Sequence, residues 1–155
     1  MAILTISREY GSGGREIGRR VAERLNYRYV DKEQLFQDLD QAGERWGRVA
    51  REVDELCPTM WERFDWQYRG YVAQVESLIL DYAAADRVVI IGRGGSFLLR
   101  GIPFCLRARL VAPLEVRRER IMARERFSRE GAERLIPDRR GAGLLYPGQL
   151  WRRLG

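Results

Sequence analysis

Ser7-Arg8-Glu9-Tyr10-Gly11-Ser12-Gly13-Gly14-Arg15-Glu16-Ile17 decides how the rest of the chain is read. Ala2 to Ser7, leading into it, is a short apolar run that predicts a buried strand. Arg15 to Leu25, leading out of it, carries Ile17, Val21 and Leu25 four residues apart, on one face of a predicted helix. Strand, glycine-rich turn and helix together make a ready site for an anion. Backbone N–H groups of such a turn point inward, and the helix N-terminus adds a partial positive charge. Glycine lets the backbone take left-handed dihedrals and approach a phosphate closely. A tight turn without a ligand is the other reading of the same residues.

Two known spacings compete for this turn. The dinucleotide fingerprint needs a third glycine where Glu16 stands, and a charged, bulky residue there opposes a pyrophosphate. The phosphate-loop pattern ends in Gly-Lys-Ser/Thr. Gly14 fits it, but Arg15 replaces the lysine, Glu16 the hydroxyl residue, and Glu9 the first glycine. Position in the chain favours the phosphate loop over the bare pattern, because strands and helices alternate after it.

Arg28 to Val30 predicts a second short strand, and Lys32 to Ala42 a helix stopped by Gly43. Between Glu44 and Gln67 the chain is charged and rich in tryptophan, and two short helices flanking Pro58 are expected. Gly70 to Ala85 predicts a helix with Val72, Val75, Ile79 and Tyr82 on one side and Leu78 beside them. Val88 to Ile91 is uninterrupted and β-branched, the pattern of a central strand covered on both faces. Leu106 to Val111 predicts a further strand closed by Pro113. Helices are expected over Leu114 to Arg126 and Ser128 to Leu135. Such alternation specifies a parallel sheet between helices, in one α/β domain spanning 1–155. From Ile136 to Gly155 no period survives, and Pro137, Gly141, Gly143, Pro147 and Gly148 interrupt the chain.

Composition narrows the chemistry. The 155 residues carry no histidine, which removes Ser-His and Cys-His catalysis, and with no close cysteine pair either, the usual zinc sets are excluded. Cys57 and Cys105 are far apart and read as free thiols. The start Met1-Ala2-Ile3-Leu4-Thr5 has no basic stretch and long apolar core, so no signal peptide or membrane span is expected, and the cytoplasm is the expected compartment. A net charge of +6, with Lys32 the only lysine, favours anionic partners gripped by arginine forks.

Four stretches, in order, resemble the cytidylate kinase-like family: Ile6 to Gly18, Leu25 to Glu33, Val89 to Arg100, and Leu106 to Arg117. Arg-Glu in place of Lys-Ser/Thr after the loop is itself a trait of that family. The resemblance covers roughly residues 1–135 and implies a three-layer P-loop kinase fold, a parallel sheet with helices on both faces. It implies transfer of the terminal phosphoryl group of ATP to a nucleoside monophosphate, with Mg2+. That reaction rests on alignment of phosphates and compensation of their charge.

On this resemblance Gly11, Ser12, Gly13 and Gly14 wrap the donor phosphates, with Arg15 supplying charge and Glu16 a carboxylate able to meet magnesium. Glu16 reads equally as a first-turn helix acid. Asp31 falls where the family contacts the acceptor, but Lys32 and Glu33 follow it instead of Ser/Thr-Gly, and a helix N-cap is its other reading. Arg93 matches the arginine that binds the acceptor monophosphate, though Gly94 stands where an aspartate helps to read cytosine. A surface turn arginine is the alternative. Arg15 and Arg93 are the candidate catalytic residues, and Asp31 and Arg93 the candidate acceptor contacts. Arg117, Arg118, Arg120, Arg124 and Arg126 crowd one helix, mostly as a solvated face. Arg107 and Arg109 alternate on one strand.

Beyond Leu135 the chain departs from the family's lid and last helix, and the expectation is a truncated or altered end. Asp138, Arg139 and Arg140 are candidates for lid residues. Loss of a final element would expose an apolar edge and promote association. Two further functions remain open at this level: a nucleotide-binding protein without turnover, and a basic nucleic-acid-binding protein. Interleaved Tyr10, Tyr27, Tyr29, Trp61, Trp66 and Tyr68 suit the latter, but no nucleic-acid motif accompanies them.

Overall fold

A computed structural model describes residues 2–43 and 66–136. Ile3–Arg8 (β1) is followed by Gly14–Leu25 (α1), Arg28–Val30 (β2) and Lys32–Ala42 (α2). Trp66–Ala84 (α3), Val88–Ile91 (β3), Gly95–Leu98 (α4) and Cys105–Leu110 (β4) come next, then Leu114–Glu125 (α5) and Arg129–Leu135 (α6). The four strands form one parallel sheet in the order β2-β3-β1-β4. Ile3 pairs with both Val88 and Cys105, so β1 lies between β3 and β4.

Every residue of β3 is buried, as its unbroken apolar run requires of a strand covered on both faces. Val88 and Ile90 face Leu35 and Leu39 of α2 and Val75, Ile79 and Tyr82 of α3. Val89 and Ile91 face the opposite way, with Ile6 of β1 and Ala22 of α1. The three-layer α/β architecture is therefore the one that the alternating sequence predicts.

The buried stripe of α1 departs from expectation. It is Gly14, Gly18 and Ala22, while Ile17 and Leu25 are exposed. A Cβ at Gly18 would lie 2.3 Å from Cδ1 of Ile91, so the helix backbone packs directly on the sheet. Small residues carry no hydrophobic signal, and the period-four apolar residues misdirect the reading. In α3 the buried side is Tyr71, Val75, Ile79, Tyr82 and Ala83, with Val72 and Leu78 partly buried. That helix begins at Trp66, four residues before Gly70. The four-residue α4 goes unanticipated because one turn is too short to show a period.

Caps mark several of the remaining ends. Asp31 accepts from the N–H of Gln34 at 3.1 Å and opens α2, Gly43 closes it, and Ser128 accepts from the N–H of Gly131 at 3.2 Å to open α6. No helix among the described residues is long and apolar enough to cross a membrane. The expected helices around Pro58, and the tail with Asp138, Arg139 and Arg140, lie outside the described residues.

Candidate functional site

The chain leaves β1 toward β2 on one side and leaves β3 toward β4 on the other. Connections diverging in this way open a crevice at the carboxyl ends of two neighbouring strands. Residues 9–14 follow β1 and Gly92-Arg93-Gly94 follows β3, so both turns border that crevice.

The first turn is built as a cradle. Gly11 and Gly13 have φ of 80° and 82°, a region that side chains disfavour. Gly13 caps α1 with no side-chain bond to the helix, which leaves the first-turn N–H groups to be met by something else. Ser12 is only 3% exposed, and its Oγ has no hydrogen-bond partner among the described residues. A buried hydroxyl without a partner is costly. Beside an uncapped helix N-terminus, it points to an anionic ligand that would satisfy both.

A second group of residues, named from the sequence as part of a mostly solvated run, holds the turn from outside. Arg117, on α5, donates from Nε to the carbonyl of Tyr10 at 2.7 Å and pairs through Nη1 with Glu9 at 3.2 Å. Arg120 donates to the carbonyl of Ser12 at 2.8 Å. Arg124 reaches the Tyr10 hydroxyl at 3.1 Å. Arg117 and Arg118 are buried, and so depart from the solvated face expected of this helix. Arg118 turns the other way, pairing with Glu115 and, at 2.9 Å, with Glu133 of α6.

Arg8 was missed in the sequence. A Cβ at Gly14 would lie 2.7 Å from Cβ of Arg8, and one at Gly92 would lie 2.0 Å from its Nη1. The side chain therefore runs from the loop to the turn after β3, and both glycines make room for it. Its only sequence signal is a cation on the last residue of a central strand.

Arg15 and Arg93 both lean toward α2. Arg15 pairs with Glu33 at 2.9 Å and comes within 4.0 Å of Asp31. Arg93, at φ 52°, places its guanidinium carbon 5.3 Å from the centre of the Phe36 ring. Lys32 lies 5.4 Å from the same ring, which brings two cations to one spot at the start of α2. Glu16 is exposed and pairs with Arg20 at 2.8 Å.

A cavity of about 280 Å³ opens beside α1, lined by Arg15, Arg19, Tyr29, Asp31, Glu33, Gln34 and Gln37. Tyr29 donates to the carbonyl of Arg15 at 3.2 Å. Burial, then the charge of Asp31 and a hydrogen bond to it, push the Tyr29 phenol up to about 12.

The donor set can be compared with what ATP and magnesium need. Loop and helix N-terminus suit phosphates. Among the described residues no three Cys, Asp or Glu side chains come together as a metal cluster. Magnesium on phosphates commonly takes only one or two carboxylates, and Glu16 opens α1 beside the loop.

Comparisons with known proteins agree on the fold. An uncharacterized protein from Eubacterium ventriosum, known from its crystal structure, is 20% identical at a TM-score of 0.66, over 88% of this chain and 69% of that one. The crystal structure of TT1252 from Thermus thermophilus is 19% identical at a TM-score of 0.53, over 99% of this chain and 85% of that one. These likenesses are of fold, the sheet-between-helices architecture of P-loop kinases. Among curated proteins none matches. The cytidylate kinase-like family matches residues 3–142, a little past Leu135 where the resemblance in sequence was expected to stop. With its loop, its Gly-Arg turn and its strand order in the places described, the chain belongs to the cytidylate kinase-like family.

Proposed function

We propose that this chain is a nucleotide-binding phosphotransferase that moves the terminal phosphoryl group of ATP to a nucleoside monophosphate. The observation that carries the reading is the cradle at residues 11–14. Two left-handed glycines, an uncapped helix N-terminus and the buried Ser12 hydroxyl, without a partner among the described residues, converge there. Donor phosphates would accept from the N–H groups of Gly11, Gly13 and Gly14 and from the Ser12 hydroxyl, the N–H of Ser12 being held by the carbonyl of Glu9. Arg15 would release Glu33 to meet them, since an exposed ion pair of this kind is worth little.

Acceptor phosphate would lie at Arg93, with Asp31 near the acceptor side of Arg15. Both ligands then share the crevice between β1 and β3. Magnesium, held mostly by the phosphates with Glu16 at hand, would offset charge on the transferring group. The same reading takes 1–155 as one domain that works on the cytoplasmic nucleotide pool.

Thermal melting with ATP and magnesium, then with each nucleoside monophosphate, tests it. At 100 times the dissociation constant a ligand stabilises by about 2.7 kcal/mol, roughly 5–10 °C for a chain this size. A phosphoryl-transfer assay with the stabilising monophosphate follows. No shift with millimolar ATP would remove the nucleotide reading. A shift without transfer would leave a binding protein.

A further inference from the structure

We infer that Arg117 and Arg120 are positioning residues for the phosphate loop, set into α5 to hold its carbonyls outward; the inference rests on the nucleotide-binding reading of that loop. A turn that offers N–H groups to a phosphate must send its carbonyls elsewhere, and each needs a donor. Here the carbonyl of Tyr10 takes Nε of Arg117 at 2.7 Å, and the carbonyl of Ser12 takes Nη1 of Arg120 at 2.8 Å. The carbonyl of Glu9 takes the N–H of Ser12 at 3.1 Å. Three carbonyls of the turn are thus directed to donors, two of them guanidinium groups.

Residues 117 and 120 are three apart on one helix and so reach the same neighbour. The helix lies close against the loop, since a Cβ at Gly11 would be 2.7 Å from the carbonyl oxygen of Arg117. Arg117 is 3% exposed, and its charge is met by Glu9, whose carboxylate also accepts from the N–H of Ala112 at 3.5 Å. Arginine suits this place because its fork serves two partners in different directions, Nε to a carbonyl and Nη1 to a carboxylate. A lysine ammonium is a single point and cannot copy that geometry. Arg120 reaches the carbonyl of Ser12 from a single nitrogen, a contact that lysine can imitate.

Arg118 supplies an internal control. It stands on the same helix, is nearly as buried, and carries the same charge, but it holds Glu115 and Glu133 rather than the loop. Burial and charge alone would make Arg117 and Arg118 equivalent. Loop positioning separates them.

The test uses the full chain with Arg117→Lys, Arg120→Ala, Arg120→Lys and Arg118→Gln. Amide hydrogen exchange is measured over residues 10–14 without ligand, and affinity for ATP with magnesium is measured beside melting temperature. Arg117→Lys and Arg120→Ala are expected to speed loop exchange and weaken ATP about 10-fold, near 1.4 kcal/mol. Arg120→Lys should recover most of the affinity. Arg118→Gln should lower the melting temperature and leave loop exchange and ATP affinity unchanged. Parental loop exchange in Arg117→Lys and Arg120→Ala would overturn the inference, as would equal loop effects from Arg118→Gln. Parent protein without ATP affinity would remove the nucleotide reading instead. Loop exchange, which needs no ligand, would then still support or overturn the positioning role.

Discussion

Replacing Gly13 by alanine separates what the loop does for the fold from what it does for a ligand. Gly13 sits at φ 82°, and an alanine there pays left-handed strain of roughly 1–2 kcal/mol. Its new methyl would meet Nη1 of Arg120 at 3.1 Å, close enough to displace that group from the carbonyl of Ser12. Gly101 is the matched control. Its φ is 89°, an added Cβ meets nothing within 4 Å, and it precedes β4 at the opposite end of the sheet. Gly101→Ala should therefore show the strain alone. Both variants should lose about 1–2 kcal/mol, a fall of roughly 2–8 °C in melting temperature. Only Gly13→Ala should also weaken ATP, by about 10-fold or more, because the cradle and its Arg120 contact both shift. Isothermal titration of ATP with magnesium into the two variants and the parent decides it. Equal affinities in all three would refute the cradle, and an equal loss in both variants would show that affinity follows global stability.

Arg15→Ala should weaken ATP and Arg93→Ala the monophosphate, each about 10-fold, since charge-assisted contacts are worth roughly 1.5–3 kcal/mol; titrating both ligands into each variant checks this, and equal losses would dissolve the division of roles. Gly18→Ala should destabilise by about 1–3 kcal/mol through its clash with Cδ1 of Ile91. Ile91→Val, which removes that atom, should recover part of the loss in a denaturant double-mutant cycle, and strict additivity would contradict the packing. Tyr29 holds its proton more tightly when folded than when unfolded, so its contribution is full below pH 10 and is lost as pH rises toward about 12. Melting followed across that window should fall less steeply in Tyr29→Phe than in the parent, and identical slopes would exclude the residue.

Strand β3 was legible because four consecutive β-branched residues suit nothing better than a covered central strand. The loop was legible because left-handed turns ask for glycine, and Gly11 and Gly13 take such angles. Asp31 declared its cap through residue type and position, and the structure bears out that local role. What stayed hidden depends on partners far along the chain. Gly18 reads as a poor helix residue until Ile91 is seen beneath it. Arg117, Arg118 and Arg120 are alike in sequence and differ only in what faces them, Glu9 and two carbonyls or Glu133. Arg8 gains its meaning from Gly14 and Gly92, which no spacing rule connects to it. Nor does sequence show that Arg15 rests on Glu33.

The position of β1 also has a consequence for how the molecule is made. It precedes both of its partners in the sequence and lies inside the sheet, with Ile3 waiting for Val88 on one side and Cys105 on the other. During synthesis α1 can form from its own residues, while β1 keeps both of its ladders unpaired until residues 88–91 and 105–110 have emerged. Long-range parallel pairing of this kind slows folding. An unpaired apolar strand is also a template for the wrong neighbour. Refolding yield should therefore depend on protein concentration most strongly in the interval before β3 and β4 have closed on β1.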